Sequence, residues 1–139
     1  EVDSQFDPKS FTDGARMAYE MIVTAFAEGD RAALSPLLSK DVHDGFVGAI
    51  NEREQRQERV TSTLIGIEKA DIVDAALKDT TEQVTVRFQS QMISATFDAS
   101  GEITDGDPNK VVEVTDIWTF ARDVTNPDPN WKLVATESA

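Results

Sequence analysis

The sequence predicts an α+β domain in which three N-terminal helices pack on one face of a curved antiparallel sheet of about four long strands. Three observations predict it. Up to Arg59 the apolar residues recur at helical spacing behind capping residues, and beyond Val60 they fall into runs rich in β-branched and aromatic side chains. Two of those runs also switch the parity of their apolar positions, as bent or bulged strands do.

Asp7-Pro8 pairs an N-cap with a proline at the first helical position, so a long helix starts there. Ala15, Ala18, Tyr19, Ile22 and Phe26 form its apolar face, and Gly29 ends it. Asp30 caps a short second helix through Ala32, Ala33 and Leu34, which Pro36 kinks or splits. Asp41 is the expected cap of the third, with Val42, Phe46, Ala49 and Ile50 as its buried stripe. The polar stretch 51–59 then carries the helix outward, with Glu52 and Arg56 at the favourable four-residue spacing. Strands are expected over 60–77, 83–97, 110–122 and 131–136. The first slips parity between Thr63, Ile65, Ile67 and Ile72, Ala76; the second slips between Val84, Val86, Phe88, Met92 and Ile93, Ala95, Phe97, which predicts a bulge in each. Gly101, Gly106 and Pro108 mark 98–109 as an exposed connection, and 125–130 is a turn.

At 139 residues the chain has room for one domain, and 40% hydrophobic with 28% charged residues is ordinary for a globular one. With 13 Lys plus Arg against 26 Asp plus Glu, the net charge of −13 repels phosphate backbones and argues against nucleic acid. The absence of Cys removes disulfides, thiolate metal sites and thiol catalysis, and leaves His43 as the one nitrogen ligand. No apolar run approaches the roughly 18–20 residues that span a bilayer. The sequence opens at Glu1 without an initiator Met, so 1–6 is expected to be a disordered linker from a further N-terminal segment.

Five segments in order resemble one family: Ala25-Phe26-Ala27-Glu28-Gly29-Asp30, Leu34 to Leu38, Val84-Thr85-Val86-Arg87-Phe88, Asp116-Ile117-Trp118-Thr119-Phe120-Ala121-Arg122, and Asn130-Trp131-Lys132-Leu133-Val134. Together they resemble the Tim44-like domain of α-proteobacterial proteins, within the NTF2-like superfamily, from about Phe6 to Thr136. The closing pair of segments is the most specific. The resemblance implies a cone-shaped fold over 1–139 and a non-enzymatic docking or scaffold domain at the inner membrane, peripheral or anchored through the further N-terminal segment. Its implied partners are anionic lipid of the cardiolipin kind and membrane proteins, with no cofactor and no metal.

A cone of this kind leaves an apolar cavity, whose expected lining is Phe46, Ile50, Phe88, Met92, Asp116 and Trp118. The alternative function is therefore small-molecule binding, or an isomerase or lyase with Asp116 on the pocket floor. Asp116 shares a strand face with Val114, Trp118 and Phe120, where an unpaired carboxylate is costly, so a bond to Arg87 or Arg122 is the preferred expectation. His43 lies off the third helix's apolar stripe, and Tyr19 sits on the first helix, so nothing in the spacing brings a catalytic set together. No catalytic residue is assigned. The acidic loop with Asp98, Glu102, Asp105 and Asp107 lacks the register of a calcium loop. For membrane or partner contact the candidates are Phe6, Phe11, Met17 and Met21 on or near the first helix, and Arg53, Arg56 and Arg59 at three-residue steps on the end of the third. Interleaved Glu52, Glu54 and Glu58 favour a self-neutralised face for those arginines.

Overall fold

A computed structural model describes residues 7–125 and 131–138, so the expected linker 1–6, Phe6, Asn130 and most of the turn before it lie outside the described residues. The helices are α1 (Pro8–Glu28), α2 (Arg31–Leu34), continued by a 3-10 turn at Ser35–Leu37, and α3 (Lys40–Gln55). The strands are β1 (Arg59–Lys78), β2 (Thr81–Phe97), β3 (Ile103–Gly106), β4 (Val112–Asp123) and β5 (Lys132–Ser138).

Local chemistry sets the helix ends. Asp7 accepts from the Lys9 N–H at 3.1 Å, Pro8 fills the first position, and Gly29 closes α1 in the left-handed region at φ 71°. Asp30 accepts from the Ala33 N–H at 3.1 Å and starts α2. The cap of α3 is Ser39, not Asp41. Leu38 bridges Leu133 of β5, and the Ser39 N–H donates to the Leu133 carbonyl at 2.9 Å. The chain is therefore pinned in an extended conformation up to Ser39, whose hydroxyl accepts from Val42; Asp41 falls in the first turn, where a carboxylate suits the helix dipole. α3 stops at Gln55 because Gln57 adopts a positive φ of 56°. Arg59 consequently opens β1, and the three arginines do not share one helical face.

All strand pairs are antiparallel, in the order β1-β2-β4-β5, with β3 also pairing β2. The sheet has five strands, one more than expected. Asp98 accepts from the N–H groups of Ser100 and Glu102, and Gly101 takes φ 87°, so the chain reverses and 103–106 returns along the end of β2. Ile-Thr-Asp-Gly, exposed at all four positions, carries no alternation that could have announced a strand. Gly106 ends it at φ 76°, and a Cβ there would collide with the Ser94 backbone carbonyl. Gly106→Ala is expected to open this arm locally at a cost of about 1–3 kcal/mol. The check is faster amide exchange at Asp107, whose N–H donates to the Ser94 carbonyl at 3.1 Å, with the global Tm little changed.

β1 is bulged three times against β2, with Ile65, Glu68 and Val73 as the extra residues. The parity slip in its sequence thus has its expected cause, and the bulges bend the edge strand around the helices. β2 differs from expectation: it keeps unbroken register with β4 from Thr81 to Met92. Its apolar parity changes where it leaves β4 and takes β3 as neighbour, without a bulge in β2 itself. Register brings Val84, Val86 and Phe88 of β2 beside Phe120, Trp118 and Asp116 of β4, all on the face that α1 covers. Tyr19 of α1 stacks on Phe88 with ring centroids 4.4 Å apart and leans on Trp118 at 4.6 Å. These contacts fix the height of α1 over the sheet and hence the space beside it.

Candidate functional site

Beside the Tyr19 contact, α1, α3 and the sheet line a cavity of about 260 Å³. Ile22 and Phe26 of α1, Phe46 of α3, and Met92 and Trp118 of the sheet supply its apolar wall, and among the described residues Asp116 is the one ionisable side chain lining it. The Phe26 and Phe46 rings meet in its lining, with centroids 5.0 Å apart. A second, more polar recess of about 280 Å³ shares Phe46, Asp116 and Trp118 and extends to Thr136 and Glu137 of β5. Asp116 therefore stands at the junction of an apolar chamber and a polar mouth.

Its hydrogen bonding differs from expectation. Neither Arg87 nor Arg122 reaches Asp116; the partner is Tyr19, whose hydroxyl donates to Asp116 Oδ2 at 2.6 Å. Ser90 Oγ lies 2.9 Å from the same hydroxyl and completes a chain from Ser90 through Tyr19 to Asp116. Arg87 is exposed, on the opposite face of β2, and Arg122 pairs with Glu82 at 2.6 Å. Burial, and then the hydrogen bond to Asp116, raise the Tyr19 pKa well above its ordinary value, so the phenol stays protonated.

Four of the six expected lining residues, Phe46, Met92, Asp116 and Trp118, do line the cavity. Ile50 and Phe88 do not. Both are fully buried: Phe88 lies beneath the Tyr19 ring, and Ile50 packs against the turn at Gly29. The candidate contact residues divide similarly. Met17 and Met21 are 65% and 52% exposed on the outer face of α1. Phe11 is not part of that patch, because it packs edge-on against Phe120 and Trp131.

Each arginine of the expected cluster has its own local partner. Arg53 donates to the Phe26 and Ala27 carbonyls at the end of α1, Arg56 pairs with Glu58 at 3.2 Å, and Arg59 lies over the Phe97 ring at 4.5 Å. His43 is partly exposed, with its Nδ1 3.9 Å from the Asp44 carboxylate, and it is not part of the chain from Ser90 through Tyr19 to Asp116. Among the described residues no group of three or more carboxylate or imidazole side chains is placed to hold a metal ion.

The Tyr19–Asp116 contact was missed because the two positions lie 97 residues apart and only the crossing of α1 over β4 joins them. One signal was available. Ser90 interrupts the apolar alternation of Val84, Val86, Phe88 and Met92, and a polar residue at an inward position needs an inward partner.

The family model described as the Tim44-like domain matches residues 1–138. The rat mitochondrial import inner membrane translocase subunit TIM44 is 24% identical over 136 residues, covering 96% of this chain and 30% of that protein. The human protein of the same name is 27% identical over 75 residues, covering 52% of this chain and 17% of that one. The chain thus spans less than a third of the length of these relatives. Among solved structures, the intermembrane space region of the chloroplast protein ARC6 superposes with a TM-score of 0.61 at 12% identity, covering 96% of this chain and 97% of that one, which is a likeness of fold.

Proposed function

Since the chain belongs to the Tim44-like domain family, we propose that it is a non-enzymatic docking domain that works at an inner membrane, binding lipid or membrane protein partners. The observation that carries the reading is the alignment along 96% of the chain with an inner membrane translocase subunit. Two features of the molecule support it. The Tyr19 hydroxyl is fully buried and already bonded to Ser90 and Asp116, so it offers no proton donor to a substrate, and His43 stands apart. Met17 and Met21, one helical turn apart on α1, present an apolar patch away from the core.

A net charge of −13 is repelled by anionic lipid except at a local patch, so contact with a bilayer would use this apolar patch rather than the arginines, which are engaged locally. No helix among the described residues is long and apolar enough to cross a membrane, and an exposed apolar patch on a helix suits an interfacial contact. Flotation with vesicles made with and without cardiolipin, beside retention of inner membrane proteins after detergent extraction, tests the reading. Each Met buried at an interface contributes about 1.5–3 kcal/mol. Met17→Asp/Met21→Asp is therefore expected to weaken vesicle binding at least ~10-fold while leaving the Tm unchanged. Failure of the unaltered chain to retain either vesicles or membrane proteins overturns the proposal.

A further inference from the structure

We infer that the cavity beside Asp116 is a binding site for a small cationic amphiphile, an apolar body carrying a protonated amine, with Asp116 as its counter-ion. The inference goes beyond the docking reading and stands on the cavity alone, since Met17 and Met21 line neither recess. Its argument is charge complementarity. The apolar chamber excludes water from an inserted hydrocarbon, and among the described residues the only ionisable side chains on the chamber and its mouth are Asp116 and Glu137. No Lys, Arg or His among the described residues lines either space.

Tyr19 holds Asp116 Oδ2, and the Asp116 carboxylate has no other hydrogen-bond partner among the described residues, which leaves Oδ1 open to a ligand. A carboxylate fixed by a buried hydroxyl and facing an apolar chamber is a strong acceptor for an ammonium group. An anionic headgroup at the same place meets like charge with no compensating cation, which disfavours it.

Three probes with the same eight-carbon chain separate the contributions: octylammonium, octanol and octanoate, titrated calorimetrically into the protein at neutral pH and low salt. The expected order is octylammonium tightest with one saturable site, octanol weaker, and octanoate at least ~10-fold weaker than octylammonium. Asp116→Asn keeps the shape and can still accept from Tyr19. It is expected to bring octylammonium to the affinity of octanol while octanol binding is preserved, which shows the cavity intact. The variant removes one carboxylate of 26, so general attraction to the acidic surface cannot account for that change. Octanoate binding as tightly as octylammonium, an order unchanged in Asp116→Asn, or no saturable binding of any probe each overturns the inference. Vesicle flotation is read separately, so failure here is distinguishable from failure of the docking proposal.

Discussion

Arg122→Met is expected to lower the unfolding free energy by about 3–5 kcal/mol, because it strands a charge that the fold has taken fully out of water. Glu82 is 0% exposed, and its Oε1 accepts from Arg122 Nη2 at 2.6 Å across directly paired positions of β2 and β4. Glu82 Oε2 has no hydrogen-bond partner among the described residues, so the guanidinium is the main compensation for that carboxylate. Arg122 also lies 5.0 Å from the Trp131 ring centroid, and its stem covers the end of the inward stripe that Val84 and Phe120 begin. Removing both charges has a different sign. Glu82→Leu/Arg122→Met is expected to recover to within about 1 kcal/mol of the parent or to exceed it, since the pair's attraction only roughly offsets its desolvation. Urea unfolding of the two variants decides the matter. A single variant as stable as the parent would show that water reaches Glu82 in the fold.

The same pair shows where sequence patterning stops. Two-residue alternation placed Asp116 on one face with Val114, Trp118 and Phe120, and the structure agrees. The error lay in letting Arg122 serve Asp116. Six residues of strand extend about 20 Å, beyond the reach of a guanidinium. Arg87 fails for another reason: it is directly opposite Ile117, so it points to the far face from Asp116. The true partner of Arg122 depended on the β2–β4 register, and the connection between those strands contains β3, so no short turn fixes that register.

Features encoded locally were legible. The Asp7-Pro8 start of α1, its Gly29 stop and the bulged course of β1 all follow from residues within a few positions of each other. The cavity was half legible. Its sheet wall followed from parity, whereas the separation of Ile50 and Phe88 from the lining depended on how α1 settles on the sheet. The arginine row failed because three-residue spacing means one face only while the helix lasts, and α3 ends at Gln55.

Tyr19→Phe is expected to cost about 1.5–3 kcal/mol, a large effect for one oxygen atom. The hydroxyl serves two groups at once: it donates to Asp116 at 2.6 Å and meets Ser90 at 2.9 Å. Ser90 is only 2% exposed, so losing the hydroxyl leaves a buried polar group unsatisfied as well as removing a bond to a carboxylate. A double-mutant cycle with Asp116→Asn should show coupling of at least 0.5 kcal/mol on the order expected for contacting polar groups. Tyr19→Ala, which also deletes the ring stacked on Phe88 and tilted against Trp118, is expected to lose about 3–5 kcal/mol. The phenol has an alkaline signature too. Its pKa is raised in the folded chain, by burial first and then by Asp116, while the unfolded chain ionises near the ordinary value of about 10. The resulting stabilisation is complete below about pH 10 and is lost as the pH climbs from there towards the folded pKa, by up to about 1.4 kcal/mol per pH unit. Comparison with Tyr19→Phe removes the parallel titration of lysines. Because Tyr19 is the only tyrosine, phenolate absorbance reports on it alone. After a jump to about pH 11, above the ordinary tyrosine value, the phenolate signal is expected to grow at the rate of unfolding. Instant ionisation in a chain that stays folded would show the hydroxyl open to water, and the bond to Asp116 would then not be what holds α1 over the cavity.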